Sequence, residues 1–203
     1  IYINHSSINI VNCIIDNNYC AYVNSGGAIF IDTSNLKTVN IINCNITNNR
    51  AAGYGGAISA RGASSNTPYV SIYNSILSGN TINNSKEQLH GQLINAYNSF
   101  IEDAVTGDFN AQENLIIQGV VFSNPGGTDF QLAANSVAIN AGNLEYVADL
   151  LPKTDILGNP RINQNRIDIG AIEYQTDIIS KITGKVVDEH GEAVTNFELY
   201  PGI

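Results

Sequence analysis

At 203 residues and a hydrophobic share of 43%, the chain is long enough for one ordinary domain with a sizeable core. Nine basic against eighteen acidic residues leave a net charge of −9, and the charged fraction is only 13%. With no cluster of Lys and Arg, this balance excludes a phosphate-gripping nucleic-acid surface and disfavours anionic membranes, and no apolar run is long enough to be inserted in a bilayer.

The chain opens on Ile1-Tyr2-Ile3-Asn4, whose alternation puts Ile1 and Ile3 on one face of a strand and Tyr2 on the other. Ile8 to Asn18 then reads I-N-I-V-N-C-I-I-D-N-N. The same unit returns as V-N-I-I-N-C-N-I-T-N-N at Val39 to Asn49 and as V-S-I-Y-N-S-I-L-S-G-N at Val70 to Asn80, with a fainter copy from Ile94 to Ile101. Its central asparagines, Asn12, Asn43, Asn74 and Asn98, are 31, 31 and 24 residues apart. A second motif alternates with the first: Gly26-Gly27-Ala28-Ile29-Phe30-Ile31 recurs 29 residues later as Gly55-Gly56-Ala57-Ile58-Ser59-Ala60, and Ile1-Tyr2-Ile3 matches Ile29-Phe30-Ile31. A fixed period in this range marks a solenoid, in which no unit can bury its apolar face alone. Within each unit, β-branched residues alternate with polar ones, which suits strands with one buried face and fits helical spacing poorly. One coil therefore holds a strand after Gly-Gly, a strand ending at the repeated Asn, and a short strand after it. The predicted fold is all-β, a parallel β-helix with three strands per coil. Ile29, Ile31, Ile58 and Ala60 join Ile1 and Ile3 inside, while Phe30 and Ser59 join Tyr2 outside.

Sharp bends between strands need a residue that tolerates positive φ, and Asn serves best after Gly. Stacked coils would set Asn12, Asn43, Asn74 and Asn98 about 4.8 Å apart, so their amides are expected to form a structural ladder worth about 1 kcal/mol net per rung. Cys13 and Cys44 follow two of these asparagines and share a column with Ser75 and Ser99. Their parallel directions oppose a strain-free bridge, so the expectation is stacked free thiols, with Cys20 unpaired in the loop after the first unit.

The turn from Asp32 to Thr38 and the insertion from Arg61 to Tyr69 read as outward polar loops. Residues 1–103 are the coils, and the first residue falls inside a strand motif that lacks its Gly-Gly, which suggests missing N-terminal coils. Beyond Asn80 the pattern decays: Thr81 to Gln92 reads as a loop with a degenerate strand near Gln88 to Gly91. Residues 104–175 are predicted to be a terminal coil and cap, with a strand at Leu115 to Phe122 and a turn at Asn124-Pro125-Gly126-Gly127. Short helical turns at Ser136 to Ala141 and Leu144 to Leu151 would cover the open end, and a strand from Ile167 to Tyr174 would close the unit. Residues 176–203 begin something new, with strand alternation around Asp188-Glu189-His190-Gly191.

These motifs carry a family resemblance. Gly-Gly-Ala-Ile followed by I-x-x-N or L-x-x-N (Ile15 to Asn18, Ile46 to Asn49, Leu77 to Asn80) resembles the GGAI and FxxN repeats of polymorphic outer-membrane proteins, and more broadly bacterial secreted right-handed parallel β-helix proteins. The series D-F-Q-L-A-A-N-S-V-A-I-N-A-G-N, T-D-I-L-G-N-P-R and I-D-I-G-A-I-E-Y between Asp129 and Tyr174 is similar to the end of the choice-of-anchor Q group, common in Bacteroidota. The segment after 176 resembles the start of a carboxypeptidase-regulatory-like β-sandwich or of a type IX secretion sorting domain. These resemblances imply an extracellular or outer-membrane-surface location and an adhesin-like role, and they imply no catalytic residue.

Parallel β-helices also include polysaccharide lyases and glycoside hydrolases, which sets the alternative reading. Hydrolysis needs paired carboxylates, and lyases of this architecture need an acid cluster for calcium and a basic residue. Asp32 and Arg61 occupy corresponding positions on adjacent coils, with Asn4 in the same column, and are the candidate acid/base pair. An ordinary surface ion pair is the plainer reading. Glu102, Asp103 and Asp108 offer oxygens for a structural calcium ion but match no EF-hand spacing, and solvated turn residues is the plainer reading. His5, His90 and His190 lie in separate segments without telling partners. No residue is assigned as catalytic or as a ligand of another metal, and no cofactor motif occurs. Tyr2 and Phe30 stack outward on adjacent coils, where aromatic faces can pack on sugar rings. They are the candidate contacts for a polysaccharide or a host or cell-surface glycan, against ordinary ladder stacking.

Overall fold

The computed structural model describes residues 1–23, 25–33, 37–62, 70–91, 94–103, 110–162, 165–175 and 190–192. The bodies of the two predicted loops, Asp108 and nearly all of the module expected from 176 onward lie outside these residues. No helix occurs among those described. In chain order the first coil carries β1 (Tyr2–Asn4), β2 (Ile8–Val11), β3 (Ile14–Asp16) and β4 (Tyr19–Cys20). The second carries β5 (Ile29–Thr33), β6 (Val39–Ile42), β7 (Asn45–Thr47) and β8 (Arg50–Ala51). The third carries β9 (Ile58–Gly62), β10 (Val70–Tyr73), β11 (Ile76–Ser78) and β12 (Thr81–Ile82), which turns back on β13 (Ser85–Lys86). The fourth has β14 (Leu89–His90), β15 (Ile94–Tyr97) and β16 (Phe100–Ile101), and β17 (Asn110–Glu113) begins the next.

Equivalent strands pair in parallel and in register, so the fold is a parallel β-helix: β1-β5-β9-β14, β2-β6-β10-β15-β17, β3-β7-β11-β16 and β4-β8-β12 each form a ladder. The fourth, two-residue ladder adds to the three strands per coil read from the repeats. The degenerate strand near Gln88 is β14, which pairs Leu89 with Ile58. Register follows the sequence repeat, with Ile8 on Val39 on Val70 and Ile15 on Ile46 on Leu77. The inward residues form one continuous core in which Ile29, Ile31, Ile41, Ile46, Ile58 and Ile72 are fully buried. Each contributes roughly 1.5–3 kcal/mol. Ile1 departs from the expectation: it precedes β1 at the end of the stack and is 61% exposed. The repeated glycines mark where backbones touch, since a Cβ on Gly27 would stand 2.1 Å from the carbonyl oxygen of Gly56 in the next coil.

The predicted asparagine ladder is corrected. Asn12, Asn43, Asn74 and Asn98 all hold the left-handed bend, at φ 56°, 47°, 46° and 45°. A single amide contact links two of them, Asn74 Nδ2 to Asn43 Oδ1 at 3.4 Å. The bend turns these side chains away from the core, and the amides of Asn12, Asn43 and Asn74 bond instead to a distant segment. The inter-coil amide ladder is built by the asparagines that end I-x-x-N. Asn49 Oδ1 accepts both the N–H and the side-chain amide of Asn18 at 2.9 Å, and Asn80 Oδ1 does the same for Asn49. Asn80 Nδ2 passes on to Gln88 Oε1 at 2.7 Å. Asn49 and Asn80 also donate inward to the carbonyls of Ile15 and Ile46. The Cys13, Cys44, Ser75, Ser99 column forms as read, with the N–H of Cys44 donating to Ser75 Oγ and that of Ser75 to Ser99 Oγ, each at 3.1 Å.

Residues 104–175 are expected to cap the open end through the short turns at Ser136 to Ala141 and Leu144 to Leu151; instead, the part of them from Val121 to Tyr174 packs along the flank of the coils. Outward residues of β3, β7, β11 and β16 make a column of Ile14, Asn45, Ile76 and Phe100, extended by Ile116 through an isolated bridge. Val121, Phe122, Phe130, Leu132, Ile169 and Ile172 cover it and form a second apolar core. The turn at Asn124 to Gly127 forms, closed by the Gly127 N–H on the Asn124 carbonyl at 2.9 Å. Neither predicted strand does: Leu115 to Phe122 makes only isolated bridges at Ile116 and Phe122, and Ile167 to Tyr174 is irregular. Its backbone polar groups bond partly to Asn43, Asn45 and Asn74 of the coils and partly to residues of its own segment such as Ala138, Gly142 and Ile156, so no ladder of strand pairing forms. Ser136 to Ala141 and Leu144 to Leu151 form single turns, not helices.

Asn49→Ala is expected to lower unfolding free energy by about 2–4 kcal/mol in urea titration, because it strands several buried donors and acceptors at 1–3 kcal/mol each. Asn9→Ala removes an exposed bond from Asn40 Nδ2 and is expected to cost less than about 0.5 kcal/mol. Equal losses would reject the assignment of the ladder to Asn18, Asn49 and Asn80.

Candidate functional site

The outer face of the β1-β5-β9-β14 ladder carries the residues singled out from sequence. Alternation sends Tyr2, Phe30, Ser59 and His90 outward in one column and Asn4, Asp32 and Arg61 in the next. The Tyr2 and Phe30 rings stack with centroids 5.5 Å apart and planes 11° from parallel, and Tyr2 is 61% exposed. Arg61 donates to Asp32 Oδ2 at 2.7 Å and lies 5.5 Å from the Phe30 ring centre. The pair and the aromatics thus form one continuous patch. Ser59, outward by alternation, is nonetheless buried. Further down the column Tyr54 stacks on His90 at 4.3 Å, and His90 Nδ1 lies 3.8 Å from Glu87 Oε1, which accepts the Gly55 N–H at 2.9 Å. Sequence inspection missed this Tyr54, His90 and Glu87 group, because the irregular return through β13 supplies two of its members.

Beside the patch, Tyr2, Phe30, Tyr19, Tyr22 and Asn18 border an open groove of about 520 Å³. Arg50 stacks over Tyr19 at 4.3 Å, so two guanidinium groups lie on aromatic rings that line it. A flat aromatic surface edged by hydrogen-bonding amides and guanidinium groups suits a ligand with apolar C–H faces and many hydroxyls.

Of the acids considered for calcium, Glu102 and Asp103 are engaged by protein donors, and Asp108 lies outside the described residues. Lys86 Nζ lies 2.6 Å from Glu102 and 3.0 Å from Asp103, and Glu102 also accepts the Gly79 N–H and the Ser78 hydroxyl. Hydrogen bonding to Glu102 first, then to Asp103, pushes the Lys86 pKa up to about 12. Burial alone would raise the Glu102 carboxyl; Lys86, the Gly79 N–H and the Ser78 hydroxyl outweigh it and lower it. Among the described residues, no group of three or more His, Cys, Asp or Glu is arranged to hold a metal ion. His5 sits at a left-handed bend directly after β1, its N–H bonded to the Asp32 carbonyl at 3.2 Å, and His190 lies in a turn.

No family model, curated protein or solved structure matches this chain. The site therefore has to be judged from its own geometry.

The densest polar constellation lies elsewhere, where the flanking segment meets the bends. Arg161 is fully buried and donates to the Gly170 carbonyl at 3.0 Å, Glu173 Oε1 at 2.8 Å, the Ala171 carbonyl at 2.9 Å, and Asn12 Oδ1. Asn43 Nδ2 donates to the carbonyls of Asp168 and Gly170, Asn45 Oδ1 accepts the Ala171 N–H at 3.0 Å, and Asn74 exchanges two bonds with Asn143. Gly170, at φ 105°, is required there: a Cβ would meet Asn45 Oδ1 and Ile76 Cδ1 at 2.5 Å. Of the three carboxyls here, Glu173 bonds the guanidinium, Asp168 feels its charge, and Asp155 is held by other donors. Burial, then the charge of Asp168, pushes Glu173 up to about 7 against the pull of Arg161. Burial also raises Asp168. At Asp155 burial acts upward too, but hydrogen bonds from the Glu173, Asn159 and Leu157 backbone and from the Asn159 amide outweigh it and hold the carboxyl low. With every one of these carboxyls bonded to a protein donor, this cluster clamps the flanking segment to the coils. No local spacing announces it, since Arg161 and Asn12 are 149 residues apart.

Because Glu173 binds its proton more tightly folded than at its ordinary value of 4.5, its stabilising effect is complete below pH 4.5 and is lost as pH rises through about 7. Unfolding free energy is expected to fall by on the order of 3 kcal/mol across that window, and Glu173→Gln to flatten the slope. A slope unchanged in the variant would rule out Glu173 as its source. Arg161→Ala, which leaves buried carboxyl and carbonyl groups unpaired, is expected to cost about 3–5 kcal/mol by urea denaturation.

Proposed function

We propose that this chain is a non-catalytic β-helix module of an extracellular or cell-surface, adhesin-like protein, and that it contacts glycans through the outer face of its Gly-Gly strands. The observation that carries the reading is the stacked, solvent-facing Tyr2 and Phe30 pair beside the groove, flanked by Arg61 and Arg50. A sugar ring packs its C–H face on an aromatic ring, and its hydroxyls take up amide and guanidinium donors at the edge. The resemblance of the repeats to secreted surface proteins supports the location, as does a composition poor in Lys and Arg and free of nucleic-acid motifs.

A second reading, part of a polysaccharide lyase or glycoside hydrolase, has one observation in its favour: Asp32 and Arg61 are in contact at 2.7 Å on the same face. The pair is open to solvent and, among the described residues, has no second carboxylate beside it, so a surface ion pair of small energetic effect accounts for it.

A glycan array followed by calorimetry on the best ligand tests the choice. Tyr2→Ala and Phe30→Ala are each expected to weaken binding tenfold or more with unchanged unfolding midpoints, and Asp32→Asn to leave it within about threefold, given 1–2 kcal/mol per aromatic contact. Product formation from any arrayed polysaccharide, abolished by Asp32→Asn or Arg61→Ala, would replace the binding reading with the enzymatic one.

A further inference from the structure

The Cys13 and Cys44 column offers chemistry that the glycan face does not use. The two residues follow bend asparagines on successive coils, and the register on either side, Val11 on Ile42 and Ile14 on Asn45, sets one directly over the other. Neighbouring Cα atoms of a parallel ladder stand about 4.8 Å apart, inside the range a disulfide spans. Both thiols are free; Cys13 is half-buried and Cys44 fully buried. Cys44 can reach solvent chemistry only through Cys13.

The surroundings treat the two sulfurs differently. Cys44 Sγ donates to the carbonyls of Ile42 at 3.2 Å and Ile10 at 3.4 Å, and burial pushes its thiol well above the usual range. Cys13 Sγ donates to the Val11 carbonyl at 3.1 Å, and its neighbour Cys44 lowers its pKa to about 6, against a smaller opposing effect of burial. The half-buried Cys13 is the sulfur a small disulfide can meet, and the fully buried Cys44 stands behind it, the placement of an attacking and a resolving thiol. The next two positions of the column are Ser75 and Ser99, whose hydroxyls satisfy the same backbone N–H groups, so the coil does not need sulfur there to fold.

We infer that Cys13 and Cys44 form a redox-active dithiol that closes reversibly into an inter-coil disulfide with low-molecular-weight disulfides. The Cys13 thiolate attacks one sulfur of the small disulfide, forms a mixed disulfide and expels the first small thiolate. Cys44 passes its proton to that leaving thiolate and attacks Cys13 Sγ, and the second small thiolate departs and takes from solvent the proton that Cys13 gave up on ionising. The protein loses two protons and two electrons, and the small disulfide becomes two thiols. Parallel side-chain directions strain the product bond, which keeps it reducible and makes it a switch rather than a permanent staple.

The test uses the 203-residue chain carrying Cys20→Ser, equilibrated in glutathione redox buffers, quenched by alkylation and mapped by mass spectrometry. The expected result is a Cys13 to Cys44 linked peptide whose yield follows the buffer ratio and reverses on adding reduced glutathione. Adding Cys44→Ser, a residue this column already tolerates, is expected to stop the reaction at the Cys13 mixed disulfide and to slow Cys13 alkylation at neutral pH by on the order of tenfold. Adding Cys13→Ser instead is expected to leave Cys44 unmodified in the folded chain. A persistent Cys13 mixed disulfide despite Cys44, or a Cys13 alkylation rate indifferent to Cys44→Ser, overturns the proposal. In the unsubstituted chain, preferential pairing of Cys13 with Cys20 overturns it as well.

Discussion

Everything in this molecule depends on successive coils turning the same corner in the same way. An asparagine in the left-handed region makes that corner at Asn12, Asn43, Asn74 and Asn98, with φ confined between 45° and 56°. Asn tolerates this conformation where a branched or bulky side chain would be strained. Once the corner is constant, the strands before and after it stack without slippage, because a one-residue slip would turn the whole isoleucine set from the interior to solvent. Register then places every other column: Ile on Ile inside, amide on amide at Asn18, Asn49 and Asn80, and small polarisable or hydroxyl side chains at Cys13, Cys44, Ser75 and Ser99.

The same corner provides the docking row for the rest of the chain. A left-handed residue points its side chain away from the core, so the bend amides project from the flank, adjacent to the outward Ile14, Ile76 and Phe100. That combination, an apolar stripe edged by regularly spaced amides, is what the segment from Val121 to Tyr174 covers. The apolar residues supply the larger part of the attraction, and the polar bonds choose the alignment. Asn45, a buried amide within an otherwise apolar column, fixes the loop at Gly170 and Ala171, and a polar group there forbids any placement that leaves it unpaired. Burying Arg161 with Glu173, Asp168 and Asp155 serves the same selection at a desolvation cost, visible in the raised carboxyls.

The surfaces left free by this arrangement differ in character. The flank is covered, and its ionisable groups are occupied with one another. The face of the Gly-Gly strands keeps its rings and its Asp32 and Arg61 pair in solvent, because the glycines turn the coil too tightly for a side chain to fold back over it. The glycan reading rests on that face alone, whereas the dithiol lies inside the coil beneath the opposite corner, so the two stand independently.

Local pattern was enough for most of what repeats. The period, the parallel stacking, the inward Ile columns, the left-handed asparagines, the outward Tyr2 and Phe30, and the meeting of Asp32 with Arg61 all follow from spacing within a coil, since neighbours in space are copies of one another in sequence. The amide ladder was assigned to the wrong asparagine of each copy, because residue type and spacing are identical for both, and only the direction of the side chain at a left-handed bend separates them. The flanking segment, the Arg161 clamp and the Tyr54, His90 and Glu87 group belonged to tertiary structure. Their partners are unlike in sequence and lie up to 149 residues apart, and no periodicity links them. Ile167 to Tyr174 has the alternation of a strand yet forms none, because its backbone groups are divided between side-chain amides of the coils and scattered partners in its own segment. What repeats was written in the chain; what docks once was decided by which exposed hydrogen-bonding groups the finished coils left to be met.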